Sequence, residues 1–323
     1  DFRQRHLAAL DGLFVQVLRL AREAGAVRIG RVAIDGSKVR AHASKHKAMS
    51  YQRMVDKERQ LRQEVHQLLT QAEATDVQED QQYGRDRRGD ELPEELRRRE
   101  TRLARIREAK RVLEARARER AKAEGADATT AKPDAKAQYN FTDPESRIMK
   151  GADGFVQAYN AQIAVEATSQ LIVGQLVTQA ANDKQQLVPM IEAVVAQAGD
   201  TPDDVLADSG YCSDANLEAV AARGVDAFVA TERLRHGAPL PPVRGRLPKG
   251  ATLTDRMRRK LRTKRGGAVY RRRKTIVEPV FGQIKHARGF RQFLLRGVEK
   301  VRGEWTLVCL THNVLKYYAM ARA

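Results

Sequence analysis

Two short apolar runs in this chain each end in an aspartate: VAID at 32–35 and VLAD at 205–208. Aliphatic and β-branched runs of this length predict buried β-strands, so each carboxylate is expected at the end of a strand. A third carboxylate, Glu278, lies in TIVEPVFG, a segment with helical character. Carboxylates that are distant in sequence can converge to hold hard divalent cations, which require oxygen ligands. We therefore expect two strand ends and one helix to meet around a metal site.

The other patterned segments have a simple order once a charged stretch at 51–124 is set aside. Successive strands favour antiparallel pairing, whereas strands separated by helices favour parallel crossovers. The order therefore predicts a mixed α/β sheet flanked by helices. Within it, Gly36 is expected to form a turn or bulge and Asp183 to cap a helix. The predicted strands are 28–35, 155–165, 171–178, 205–208 and 227–230, and the predicted helices are 2–25, 183–199, 214–223, 268–288 and 298–321.

The charged stretch at 51–124 is rich in Arg, Glu and Gln, with Leu and Ile at helical, partly heptad-like spacing. Glycine and proline breakers divide it in the segment QYGRDRRGDELPEE. This pattern predicts two long antiparallel helices, a coiled-coil-like hairpin inserted between the first and second strands. The polar segment 125–138 is predicted to be a linker. Dimerisation, clamping of DNA and a purely solvated insertion all remain open as roles for the hairpin.

The charge of the chain points to a polyanionic partner. Its net charge is +18 and its pI is about 10.1, which favours nucleic acid or a membrane surface. No apolar run has the length of a membrane-spanning helix, so no membrane partner is expected. Eleven lysines or arginines and no acidic residue lie between Arg256 and Lys274, immediately before Glu278. Neutralisation of phosphates beside the site explains this run better than a solvated helix face does. On the other side of the site, Lys38 and Arg40 are expected to serve the same purpose.

Six segments together resemble the DDE-type transposases of bacterial insertion sequences. In the last of them, Glu278 and Lys285 keep the six-residue gap of the family's Tyr–Arg–Glu–Lys signature, and Tyr270 lies eight residues before Glu278. Lys274 occupies the offset expected for the arginine, and Arg273 is its neighbour, so either could contact DNA. The segments are VAIDGSKVRAHASKHKAMSY (32–51), FTDPESRIMK (141–150), FVQAYNAQIAV (155–165), TQAANDKQQL (178–187), VLADSGYCSDANL (205–217) and YRRRKTIVEPVFGQIKHARGF (270–290).

The resemblance implies a ribonuclease H-like catalytic domain that uses two Mg²⁺ ions, for which Mn²⁺ can substitute. Asp35, Asp208 and Glu278 are then the catalytic and metal-binding carboxylates, with Asp35 bridging both ions. The expected reaction is cleavage of DNA strands and their transfer at the ends of an insertion sequence. The residues expected to contact DNA are Lys38, Arg40, Tyr270, Arg273, Lys274 and Lys285.

The resemblance also implies an organisation and a setting. Residues 1–27 are expected to link to an N-terminal DNA-binding domain outside this chain. The expected partner is double-stranded DNA, both element ends and target, bound by a homodimer in the bacterial cytoplasm near the nucleoid. An inactive or domesticated DNA-binding remnant and a nuclease of the same fold are the alternatives. The remaining expected divisions are 28–50 for the first part of the catalytic core, 51–138 for the hairpin and linker, and 139–323 for the rest of the core.

Overall fold

The computed structural model describes residues 5–83, 94–151, 154–232, 245 and 247–322. The chain forms two compact units. The core unit contains Asp1–Ala43 and Glu145–Ala323, and the helical unit contains Ser44–Pro144. The strands are β1 (Arg31–Arg40), β2 (Ala48–Ser50), β3 (Gln138–Asn140), β4 (Arg147–Gly151), β5 (Gly154–Glu166), β6 (Ile172–Thr178), β7 (Asp204–Ala207) and β8 (Asp226–Val229). The helices are α1 (Leu7–Glu23), α2 (Tyr51–Tyr83), α3 (Glu94–Ala123), α4 (Leu187–Ala198), α5 (Asp214–Ala222), α6 (Leu253–Arg262), α7 (Lys264–Gly282) and α8 (Val298–Ala321).

The core unit is built on one mixed sheet with the order β4-β5-β1-β7-β8, and β6 also pairs with β5. Strand β5 is antiparallel to β1, β4 and β6, whereas β7 is parallel to both β1 and β8. This is the pattern expected of successive strands followed by helical crossovers. The prediction of a mixed α/β sheet flanked by helices is confirmed.

Strand β1 runs through the middle of this sheet and is longer than predicted. Its apolar residues Val32, Ala33 and Ile34 are completely buried, and the strand continues past Asp35 to Arg40. The prediction that Gly36 forms a turn or bulge was wrong, because Gly36 pairs in register with Gln162 of β5. A Cβ atom at Gly36 would lie only 2.1 Å from Gln162 Nε2. Glycine is needed here for the close approach of a neighbouring side chain.

Helix boundaries in the core unit correct one further expectation and agree with another. Helix α4 begins at Leu187 with Gln186 as its N-cap, so the prediction of Asp183 as the cap was wrong. Helix α7 passes through Pro279 without ending, and it continues into a π-helical turn at 283–287. Glu278 therefore lies inside a helix, as the predicted helix at 268–288 requires. In the described part of the chain, no helix combines the length and apolarity needed to cross a bilayer.

The helical unit consists of the pair α2 and α3 together with the two-stranded sheet β2–β3. Glu58 of α2 contacts Arg107 of α3, and Glu64 contacts Arg99, so the two helices run antiparallel. Residues 84–93 of the predicted breaker segment lie outside the described residues. The buried side chains between the helices are Met54, Leu61, Leu103, Ile106, Ala109 and Leu113.

Candidate active site

Asp35 and Asp208 come together on neighbouring parallel strands. In the pairing of β1 with β7, Val32 lies opposite Val205 and Ala33 opposite Leu206. The same register continued by two residues places Asp208, the first residue after β7, beside Asp35. Asp208 then caps a short 3₁₀ turn, accepting a 2.8 Å hydrogen bond from the Gly210 N–H. The structure thus brings the two carboxylates together, but only Asp208 follows the end of a strand, because β1 continues past Asp35 to Arg40.

The environment of Asp35 disfavours its negative charge. Its side chain is only 22% exposed. Burial raises the pKa of Asp35 to about 6, the nearby Arg273 opposes this rise, and the charge of Asp208 adds to it. A carboxyl pKa raised by burial and by a second carboxylate indicates negative charge that the protein compensates only in part. The pair is therefore a place where a further cation would be stabilised.

Arg273 of α7 is the cation that the structure places against this pair. Its Nη1 lies 3.2 Å from Asp35 Oδ2, and its side chain is 10% exposed. It shares the buried stripe of α7 with Ile276, Val277 and Val280, whose spacing of three and four residues defines one helix face. Lys274, the next residue, is exposed. Of the two cations left open by the sequence, Arg273 faces the carboxylates.

Tyr270 lies one turn before Arg273 and is half-buried. Burial raises the pKa of Tyr270, and the charges of Asp208 and Asp35 add to the rise while Arg273 opposes it. The Tyr270 phenol therefore interacts electrostatically with both carboxylates and remains protonated at neutral pH. Tyr270 and Arg273 together present two hydrogen-bond donors next to the pair.

Glu278 is not brought into contact with Asp35 or Asp208. The Glu278 side chain is exposed and makes no hydrogen bond or ion pair with residues that the structure describes. Glu278 follows Arg273 by five residues, which at 3.6 residues per turn rotates it by about 140° around α7. Within the described ranges, no group of three or more His, Cys, Asp or Glu side chains could hold a metal ion. Of the three carboxylates predicted from the sequence, the structure therefore brings together Asp35 and Asp208 only.

The other predicted DNA-contacting residues have different surroundings. Lys285, in the π-helical turn, donates a hydrogen bond to Ser37 Oγ. Burial lowers the pKa of Lys285, and Asp35 opposes that change. Lys38 is only 15% exposed and lies 3.0 Å from Asp183 Oδ1. Arg40 is exposed at the end of β1.

Asp183 is a part of the site that the sequence interpretation missed. Its Oδ1 accepts hydrogen bonds from Asn160 Nδ2 at 2.6 Å, from Gln162 Nε2 at 2.7 Å and from Lys38 Nζ at 3.0 Å. Gln162 in turn accepts a hydrogen bond from the Tyr211 hydroxyl. Burial raises the pKa of Tyr211 well above its usual value, and Asp183, Asp35 and Asp208 all add to the rise. Asp183 thus anchors a buried network beside Asp35 and Asp208.

One sequence signal could have revealed this network. Asn160 and Gln162 are polar residues two positions apart in the apolar run YNAQIAV, so their side chains point to the same face of β5. Both are fully buried. Because buried polar groups need partners, such a pair predicts a polar network on that face of the sheet.

The comparison with known families found one match. A family model described as a transposase DDE domain matches residues 126–314, which is 189 of the 323 residues. The chain belongs to this family. Asp208 and Glu278 lie within the matched range of the DDE transposase domain, whereas Asp35 lies before it. No curated protein and no solved structure matched the chain.

The carboxylate pair of this DDE transposase domain suits a hard divalent cation. Mg²⁺ commonly takes one or two carboxylates and fills its remaining positions with water and phosphate oxygens. Asp35 and Asp208 supply two such carboxylates at neighbouring positions, and the burial that raises the pKa of Asp35 leaves negative charge that a cation would offset. Neither histidine nor cysteine is needed for this donor set.

Proposed function

We propose that this protein is an active DDE transposase that cleaves DNA strands and transfers them at the ends of an insertion sequence. The juxtaposition of Asp35 and Asp208, with Arg273 against them, is the observation that carries the proposal. A pair of acidic side chains inside a protein of net charge +18 suits a reaction on a polyanionic backbone. Family membership supports DNA as the substrate.

In this proposal Asp35, Asp208 and Glu278 would hold two Mg²⁺ ions, for which Mn²⁺ can substitute. When bound, the metal supplies Lewis-acid polarisation of the scissile phosphate and lowers the pKa of the attacking hydroxyl. Asp35 and Asp208 would hold the metal from the neighbouring strands β1 and β7. The exposed position of Glu278 on α7 leaves its carboxylate accessible to DNA-bound cations.

The cations and other donors around Asp35 and Asp208 have different roles in this proposal. Arg273 keeps Asp35 ionised by opposing the rise of its pKa, and it offers a planar guanidinium to a phosphate. Tyr270 and Lys285 supply further donors close to the carboxylates. Lys274 and Arg40 are exposed and contact phosphates further along the duplex. Lys38 acts indirectly, because its ammonium group is held by Asp183.

We further propose that the core unit has a ribonuclease H-like fold into which the helical unit is inserted. Without β2, β3 and β4, the core strands in chain order are β1, β5, β6, β7 and β8. Their spatial order is then 3-2-1-4-5, with the first three antiparallel and the last two parallel. That order supports the assignment. Residues 1–27 would link the core to a separate end-binding domain, and a homodimer would hold paired ends in the bacterial cytoplasm.

The test is Mg²⁺-dependent cleavage and joining of a labelled duplex that carries the element's ends. Wild type is compared with Asp35→Ala and Asp208→Ala, and with Asp200→Ala as a control for removal of an exposed carboxylate. We expect joined products from wild type and Asp200→Ala only. Cleavage without joining would identify a nuclease of the same fold. Salt-sensitive binding with no product under any metal would identify an inactive DNA-binding remnant.

A further inference from the structure

The helical unit carries a concave, strongly basic pocket of about 490 Å³, and every residue that lines it belongs to that unit. One wall is formed by Arg98, Arg102 and Arg105 of α3. These residues are four and three positions apart, so they project from a single face of the helix. The opposite wall is formed by Arg53 of α2 and by Lys47, just before β2.

The charges of this pocket all have one sign. Among the described residues that line it, none is acidic. Arg53, Arg102 and Arg105 are exposed and form no ion pair with any residue that the structure describes. Like charges three or four residues apart on a helix repel each other, so Arg102 and Arg105 destabilise α3 slightly in the absence of an anion. A bound polyanion would remove this repulsion.

Several other cations of the same two helices form ion pairs with acidic side chains. Glu58 is almost completely buried and contacts Arg62, Arg107 and Lys110. Glu64 contacts Arg99 in the same way. Glu58 and Glu64 thus neutralise cations on this part of the pair, whereas Arg53, Arg102 and Arg105 of the pocket form no ion pair with any residue that the structure describes.

We propose that this pocket binds backbone phosphates of duplex DNA and serves as a second DNA-contact surface. Guanidinium groups bind phosphate oxygens through paired donors, and a row of them along one helix can follow a strand. The proposal rests on the proposed function, which makes DNA the ligand. The cations of the pocket, from Lys47 to Arg105, all lie before residues 126–314, the range matched by the family model. The family match therefore does not account for this surface, and in this sense the proposal goes beyond the proposed function.

The test measures the affinity of the protein for a duplex as a function of salt concentration. The pocket variant carries Arg53→Gln, Arg102→Gln and Arg105→Gln. Each lost phosphate contact reduces the slope of log K against log salt by about 0.9. We therefore expect a slope lower by about 2 to 3 and binding about 10-fold to 100-fold weaker near 0.1 M salt. Circular dichroism and thermal unfolding verify that the helices persist.

Two further variants control for net charge and for side-chain identity. Arg59→Gln, Arg111→Gln and Arg118→Gln remove the same charge from exposed positions outside the pocket. We expect these changes to leave the salt slope within about 0.5 of wild type. Replacing Arg53, Arg102 and Arg105 by lysine should retain most of the slope, since lysine still neutralises phosphate as a point charge.

The outcomes separate this proposal from the proposed function. Equal losses in the pocket variant and the charge-matched control would show a net-charge effect and overturn the pocket. No loss in the pocket variant would also overturn it, while metal-dependent cleavage that vanishes in Asp208→Ala would leave the transposase function intact. Absence of duplex binding by wild type would contradict both. Binding of inorganic pyrophosphate as tight as that of duplex would identify a small-anion site and overturn the assignment to DNA.

Discussion

The side-chain amide of Gln170 donates a 3.0 Å hydrogen bond to the backbone carbonyl of Thr275. In an uninterrupted helix that carbonyl would accept from the N–H of residue 279, which is a proline and has none. Gln170 lies in the turn between β5 and β6 with φ of 57°, a left-handed conformation that glutamine adopts rarely. A turn residue thus replaces the missing helical donor. This bond explains how α7 passes through Pro279 and carries both Arg273 and Glu278 on one continuous helix.

A double-mutant cycle tests this replacement. Gln170→Ala is expected to lower the free energy of unfolding by about 1–2 kcal/mol, because it leaves a helix carbonyl without its donor. In the background of Pro279→Ala, the new N–H at position 279 serves the carbonyl, so the same change should cost about 1 kcal/mol less. Urea denaturation of the four proteins measures the coupling. The contact of Gln170 Oε1 with Lys316 is lost in both backgrounds and cancels. Equal costs in both backgrounds would show that the amide does not replace the helical donor.

Two glycine substitutions are expected to have opposite effects. A Cβ at Gly36 would lie 2.1 Å from Gln162 Nε2 and 2.9 Å from Asp183 Oδ1, so Gly36→Ala should destabilise the protein by about 1–3 kcal/mol. A Cβ at Gly12, in the exposed interior of α1, would meet no atom within 4 Å. Gly12→Ala should therefore stabilise by about 0.5–1 kcal/mol through helix propensity. Thermal unfolding measures both changes, and a neutral Gly36→Ala would contradict the close packing around β1.

The buried histidine of α8 gives the protein a pH-dependent stability. The pKa of His312 is lowered to about 4, chiefly by burial; the hydrogen bond to the Gln170 carbonyl opposes this change, and the cations Lys316 and Arg288 contribute to it. An unfolded histidine titrates near 6.5, so the unfolded state binds a proton first as the pH falls. Stability is then lost between about pH 6.5 and pH 4, by up to about 3 kcal/mol.

The contribution of His312 is isolated by comparison of variants. The difference in unfolding free energy between wild type and His312→Gln should change by about 3 kcal/mol from pH 6.5 to pH 4. His66→Gln, at an exposed position on α2, serves as the control and should follow wild type throughout. If the unfolding free energies of wild type and His312→Gln changed with pH in parallel, His312 would not be the group responsible for the loss of stability.

Much of the site could be predicted because its signals are local. Asp35 and Asp208 each end an apolar run, and two parallel strands place such ends side by side. Arg273 also has a local signal, since it continues the helical stripe of Ile276, Val277 and Val280. The family signature drew attention to the offset of Lys274 instead.

The remaining parts depend on contacts that no local pattern contains. The capping interpretation of Asp183 used its nearest neighbours in sequence, whereas its partners Asn160 and Gln162 come from a strand more than twenty residues earlier. The turn interpretation of Gly36 failed for the same reason, because the requirement for glycine comes from the Gln162 side chain. The preference of a single residue for a cap or a turn does not indicate which distant side chain the β-sheet will place beside it.

The neighbouring cations Arg273 and Lys274 are expected to differ in what they contribute to the reaction. Arg273→Ala removes the guanidinium that lies against Asp35, so the rate of strand cleavage at saturating DNA should fall by about 10²-fold to 10³-fold. Lys274→Ala removes only an exposed charge, which should weaken DNA binding less than about 10-fold and lower the salt slope by about 1. Single-turnover cleavage and binding isotherms separate the two effects.

A conservative variant distinguishes position from charge at Arg273. Arg273→Lys keeps the charge but loses the planar fork, so cleavage should recover only in part while the protein remains folded. The stability of each variant is measured alongside, since removal of a buried cation leaves Asp35 without its ion-pair partner. If Lys274→Ala abolished cleavage at saturating DNA and Arg273→Ala did not, Lys274 would be the cation that acts on the reacting phosphate. The buried stripe of α7 would then have to rotate by about 100°, one residue of the helix, when DNA binds.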